Sequence, residues 1–168
     1  MTALELDEHY LRQARWAAER FELEVDLRQG SVYDLTGSDE QWDVVLFMGV
    51  LYHLRHPLLA LDAVAAVTRR LLVLQTLTMP GDERAEAPAD LDIEERDALL
   101  DDAWPKMAFI ERKLAGDETN WWAPNAACVE AMARSAGLRL DAHPAHETWL
   151  CSPVSVSRHG RARGPRAC

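Results

Sequence analysis

Tyr52 and His53 stand side by side just after an apolar run, in the stretch "WDVVLFMGVLYHL" that covers residues 42–54. An imidazole accepts a proton near neutral pH with little tuning, and an aromatic face attracts a cationic centre. Gly49 precedes the pair and lets a backbone approach a ligand closely. The three residues together mark a strand-end corner with the means for chemistry, with helix-start packing for Tyr52 and an ordinary polar role for His53 as the alternatives. A second candidate lies in "NWWAPN", residues 120–125. On an extended segment adjacent side chains point to opposite sides, so one tryptophan packs inward and the other faces a site. Trp122 is placed near the opening of a cleft beside Tyr52, and Trp121 as an anchor against Met107 and Phe109.

The elements that must position these groups alternate. Residues 2–6 read as a short strand, and from Asp7, placed to cap, Tyr10, Ala14, Ala17, Ala18 and Phe21 recur at helical spacing. "EVDLRQ" (24–29) reads as a second strand ending at Gly30, and "DVVLFM" (43–48) as a continuous apolar strand suited to burial on both faces. Pro57 fits the first turn of a helix, and "RLLVLQT" (70–76) is the next strand. Strand and crossover helix in alternation imply a doubly wound, mostly parallel α/β sheet. The rhythm breaks over residues 77–122, an acidic stretch too long for a simple connection and expected to be an inserted helical lid. Asn125 then caps a helix closed by Gly137, and "LRLDAH" and "ETWLCSPVSVS" read as two late strands.

Composition narrows the classes. With 168 residues, 48% of them hydrophobic, one domain is expected. A formal charge of −10 opposes nucleic-acid backbones in bulk. No apolar run approaches a membrane span and no signal pattern opens the chain, so a cytoplasmic location without a membrane partner is expected. Cys128, Cys151 and Cys168 are odd in number and far apart, which suits free thiols, and no cluster has metal-ligand spacing. The ending "RHGRARGPRAC" is basic and rich in Gly; residues 152–168 are expected to form a disordered tail after a domain over 1–151.

"ALELDEHYLRQAR", "RQGSVYDL", "WDVVLFMGVLYHLRHPLLALDAV" and "LLVLQTL" resemble, in order and spacing, successive motifs of class I S-adenosylmethionine-dependent methyltransferases. "MGVLYH" is the most specific and is closest to the tRNA wobble-uridine carboxymethyltransferase branch. The resemblance implies S-adenosyl-L-methionine as cofactor. It places Glu5 on the donor's ribose hydroxyls, Gly30, Ser31 and Val32 around the adenine, with Ser31 where the family commonly has aspartate, and Met48 and Gly49 beside the sulfonium. Tyr52 and His53 then face the reacting methyl group, which passes to a small-molecule or tRNA nucleophile.

That family binds the methionine end of its donor on a glycine-rich turn after its first strand. The eight glycines here include no G-x-G pair. The sequence therefore reads as an N-terminally truncated domain, inactive as it stands, with its first strand and turn missing. Unpaired strand edges would favour self-association. Three classes stand: a methyltransferase or a fragment of one, a non-catalytic subunit that pairs with a complete methyltransferase, and an unrelated phosphate-handling α/β domain. The last is disfavoured by the lack of a phosphate-cradling loop.

Overall fold

A computed structural model describes residues 1–85 and 87–154. Most of the expected basic tail, residues 155–168, lies outside the described residues. Its first two positions are strand instead: β8 runs Thr148–Pro153 and carries Ser152 and Pro153 into the sheet.

The chain opens with β1 (Thr2–Glu5), α1 (Glu8–Arg20) and β2 (Asp26–Gln29). Asp7 caps α1 as expected, accepting from the His9 N–H at 2.7 Å. The buried residue of the helix is Leu11, while Tyr10 and Phe21, both in the anticipated apolar stripe, are exposed. β1 and β2 pair in parallel as a two-stranded sheet of their own.

A second sheet follows, built from β3 (Trp42–Met48), β4 (Thr68–Gln75), β7 (Leu138–Ala145) and β8 in the order β3-β4-β8-β7. Its β3–β4 pair is parallel and the other two pairs are antiparallel. Helix α2 (Pro57–Val67) starts at Pro57, and α3 (Ala126–Ser135) is capped by Asn125 and followed by Gly137 at φ 77°. Leu61 and Val64 of α2, with Val129 and Met132 of α3, pack with Phe47, Leu72, Leu74, Trp149 and Cys151 of the sheet in one core.

The opposite face of β3 departs from expectation. Val44, Leu46 and Met48 are 54%, 67% and 49% exposed, so the run 43–48 is buried on one side only. In parallel sheets such runs are normally covered on both faces; here α2 and α3 share one core, and α1 flanks β1 and β2. The fold is a mixed α/β arrangement containing parallel pairs, divided between two sheets, rather than one doubly wound sheet. β1 and β3 each keep an edge that no described strand pairs. The Trp42 indole N–H, which donates to Thr2 Oγ1 at 3.4 Å, links the two at their N-terminal ends.

The expected helical lid is also corrected. Residues 77–122 hold a 3₁₀ segment at Ile93–Leu100 and the strand β5 (Met107–Phe109), which pairs antiparallel with β6 (Trp122–Pro124). Ile93, Leu99 and Leu100 are exposed, so the segment has no buried apolar stripe to sustain an α-helix. Asn125 ties this insertion down. Its side-chain oxygen accepts from Lys106 N at 3.2 Å and Cys128 N at 2.8 Å, and its amide donates to the carbonyls of Asp102 and Trp104 at 3.0 and 2.7 Å. Among the described residues no helix is long and apolar enough to cross a membrane.

Candidate functional site

The C-terminal ends of β1, β2, β3 and β4 carry the candidate residues, at the edge where ligands gather in open α/β sheets. β3 ends at Met48, and Gly49 turns the chain at φ 69° while its N–H donates to Gln75 O at 3.1 Å. A left-handed φ of this size suits glycine. A Cβ at Gly49 would lie 3.8 Å from both the Tyr52 hydroxyl and Gln75 Oε1, so two polar tips gather over this turn. A single 3₁₀ turn over Leu51–His53, anchored by buried Leu51, then sets Tyr52 and His53 with ring centroids 4.1 Å apart.

The insertion returns to this corner. Trp121 N donates to Tyr52 O at 2.9 Å, and the Arg55 guanidinium sits 4.7 Å over the Trp121 ring. Phe109 lies 6.4 Å from Trp121 and 5.0 Å from Trp122, centroid to centroid. Trp121 thus stacks on Phe109, the neighbour expected for it, while its backbone also meets Tyr52, and the Trp122 ring lies nearer still to Phe109. Trp122 nonetheless keeps a buried indole N–H without a partner, and Asn120 Oδ1 and Thr76 Oγ1 are likewise buried and unpaired among the described residues. Such groups normally find a partner.

A hairpin turn through Ala115 and Gly116, at φ 54° and 82°, pairs Leu114 with Asp117 and brings the latter to His53. Thr119 Oγ1 is 2.9 Å from His53 Nδ1 and 2.7 Å from Asp117 Oδ1, and Thr119 N also donates to that oxygen at 2.7 Å. The Thr119 hydroxyl and N–H, and more weakly the nearby imidazole, hold the Asp117 carboxyl below the usual carboxylate range.

The second cluster lies on β1 and β2. Glu5 ends β1; Oε1 accepts from Asp7 N at 2.8 Å, and Oε2 has no partner among the described residues. Gly30 N donates to Glu5 O at 3.0 Å. Gly30 fills a tight place, since a Cβ there would come within 3.0 Å of Leu4 Cδ1 and 3.1 Å of Asp34 Oδ2. Ser31 caps the following turn, accepting from Tyr33 N at 3.3 Å, while Asp34 Oδ2 accepts from Ser31 N at 2.8 Å. Val32 packs against the core. No group of three or more His, Cys, Asp or Glu among the described residues is arranged to hold a metal.

Sequence reasoning missed Gln75, Asp34, Asp117 and Thr119. Gln75 was legible as the polar residue that ends the apolar run "LLVL", and Asp117 as the residue after a turn-forming glycine. Their meeting with Gly49 and His53 was not.

Residues 1–71 match the family described as a methyltransferase domain. No curated protein matches the sequence. Among solved structures, the N-terminal domain of EvdMO1, determined in the presence of SAH and D-fucose, is similar over 90% of this chain and 63% of its own, with 20% identity and TM-score 0.59. An O-methyltransferase family protein from Burkholderia thailandensis is similar over 93% and 44%, with 16% identity and TM-score 0.62. The cyclase SpnF is similar over 83% and 43%, with 16% identity and TM-score 0.54. The chain spans less than two thirds of each of these. Identities this low establish a shared fold, and a cyclase among such neighbours shows one fold serving different chemistries, so function has to be argued from the site.

Proposed function

We propose that this chain forms the greater part of an S-adenosyl-L-methionine-dependent methyltransferase acting on a small-molecule nucleophile. The observation that carries the reading is the Gly49 corner, a left-handed turn at the end of a parallel strand with the Tyr52 hydroxyl and Gln75 Oε1 over it and His53 beside the Tyr52 ring. Glu5 fits the donor's ribose, because its unpaired carboxylate oxygen can accept from hydroxyls. Gly30, Ser31, Val32 and Asp34 fit the adenine edge, and Met48 borders the sulfonium. When bound, the donor supplies an activated methyl group. The chain's own residues do the rest: Tyr52 offers an aromatic face to the positive charge, His53 takes a proton from the nucleophile, and Trp122 lends its half-buried ring to the acceptor side. Alignment in a dry pocket is the main contribution, with residues 77–122 as the cover. The acidic surface disfavours tRNA as acceptor, so the wobble-uridine branch is the less favoured form of this reading.

The strip between the free edges of β1 and β3 is the place for one more parallel strand. Joined ahead of Met1 in a longer chain or carried by a partner, it would bring the backbone turn for the donor's methionine end. Calorimetric titration with S-adenosylhomocysteine tests both parts. The 168-residue chain is expected to bind more weakly than micromolar, and a chain extended by a strand, glycine-rich turn and helix to bind at micromolar or tighter, about −8 kcal/mol. Tight binding by the unextended chain would refute the need for the strand; no binding by either would refute the donor.

A further inference from the structure

His53, Thr119 and Asp117 form a chain of groups whose protons can be assigned from chemistry. An ionised carboxylate only accepts, and a threonine hydroxyl has one proton to give. That proton has two takers, Asp117 Oδ1 at 2.7 Å and His53 Nδ1 at 2.9 Å. A bond to a charged acceptor is the stronger of the two, so the hydroxyl donates to Asp117. Thr119 Oγ1 is then left as an acceptor, and the imidazole meets it with an N–H at Nδ1. The bare nitrogen is Nε2, which has no partner among the described residues. Asp117 Oδ2 lies 4.0 Å from Nδ1, close enough to favour the imidazolium that forms once Nε2 takes a proton.

We propose that Thr119 and Asp117 are positioning residues that hold His53 as the Nδ1–H tautomer, so that Nε2 serves as the base for an acceptor bearing a hydroxyl group. The inference rests on the methyl-transfer reading for its substrate class, while the tautomer stands on geometry alone. In the step implied, the acceptor O–H proton passes to Nε2 as the oxygen forms its bond to the methyl carbon. The carbon–sulfur bond breaks with its electron pair left on sulfur, converting sulfonium to thioether. Charge balances, because the positive charge leaves the sulfur and appears on the imidazole beside Asp117.

Nitrogen-15 NMR of the full chain reads the tautomer without any turnover. Wild type is expected to show His53 protonated at Nδ1, with that population lost in Thr119→Val and retained in Thr119→Ser. A dominant Nε2–H form, or a Thr119→Val spectrum unchanged in a folded protein, would overturn the assignment. In the extended, donor-binding form, with catechol as the hydroxyl probe, Thr119→Val and Asp117→Asn should lower kcat about tenfold or more, a share of what a positioned base contributes. KM and S-adenosylhomocysteine affinity should stay nearly constant. An unchanged kcat, or an equal loss of donor affinity, would overturn the role in proton transfer. Failure of the underlying reading is separately visible as absent S-adenosylhomocysteine binding, which leaves the tautomer result standing.

Discussion

The two faces of β3 and β4 are built from alternating residues of the same apolar runs, yet they end in opposite environments. Leu72 and Leu74 are fully buried beneath α2 and α3, and Phe47 is nearly so. One residue along, Val44, Leu46 and Met48 lie in the open, with Leu71 and Val73 half-buried. Hydrophobicity does not separate the faces; the presence of a covering helix does. A strand run specifies a strand, and its burial depends on what else arrives. Exposed apolar side chains beside an unpaired strand edge are an invitation to association, and the bare face of β3 has both.

Truncating one residue on each face gives the widest contrast. Leu72→Ala should cost about 2–5 kcal/mol, the transfer term plus a cavity that α2 and α3 cannot close. Leu46→Ala should stay within about 0.5 kcal/mol. Urea unfolding of both variants reads the difference. Equal losses would mean that the bare face is covered in solution, and the comparison would break.

Asn125 joins the covered core to the insertion, since one side chain caps α3 and binds backbone groups of three other residues. Asn125→Ala should cost about 2 kcal/mol, a lost cap together with buried groups left unpaired. It should also loosen residues 102–106 ahead of global unfolding, which hydrogen exchange would show as early loss of protection there. Protection lost uniformly would assign Asn125 to the core alone.

Charging the bare face tests its stickiness more than its stability. Val44→Lys and Leu46→Lys together should leave the melting midpoint within a few degrees and shift sedimentation toward the monomer at high concentration, because lysines on an edge strand oppose edge pairing. Unchanged sedimentation would show that association, if present, uses another surface.

Local chemistry was legible in the sequence wherever one residue decides it. Asp7, Pro57, Asn125 and Gly137 mark helix ends through caps and backbone preference, and they do so in the structure. What escaped were matters of distance. Burial of β3 on both sides was inferred from its composition, but the covering element is a long-range choice. In α1 the stripe was assigned to Tyr10 and Phe21, whereas Leu11, a neighbouring position on the same helix, is the residue that is buried. At the site, Tyr52 and His53 announced themselves by following a glycine at a strand end. Thr119 could not, because 66 residues separate it from the imidazole it meets.

The effect that is smallest at neutral pH belongs to the thiols. Cys151 is buried on the covered face of β8 and Cys128 half-buried on α3. Burial pushes both up from an ordinary value of 9.0 to about 11, with the carboxylates of Asp141 and Glu130 adding to the rise at Cys151. A thiol held protonated in the fold but free to ionise in the unfolded chain favours the fold fully below pH 9, and that contribution fades as pH climbs toward 11. Stability should therefore fall over this window, by at most about 1.4 kcal/mol per pH unit for each thiol, and Cys128→Ala with Cys151→Ala should flatten the slope whatever their cost at neutral pH. Thiol labelling at pH 8 should be slow in the folded chain and fast in denaturant, since the thiolate is the reactive form. Rapid labelling of folded Cys151 would show that α2 and α3 leave the covered face as often as not, and the contrast between the two faces would then be one of degree.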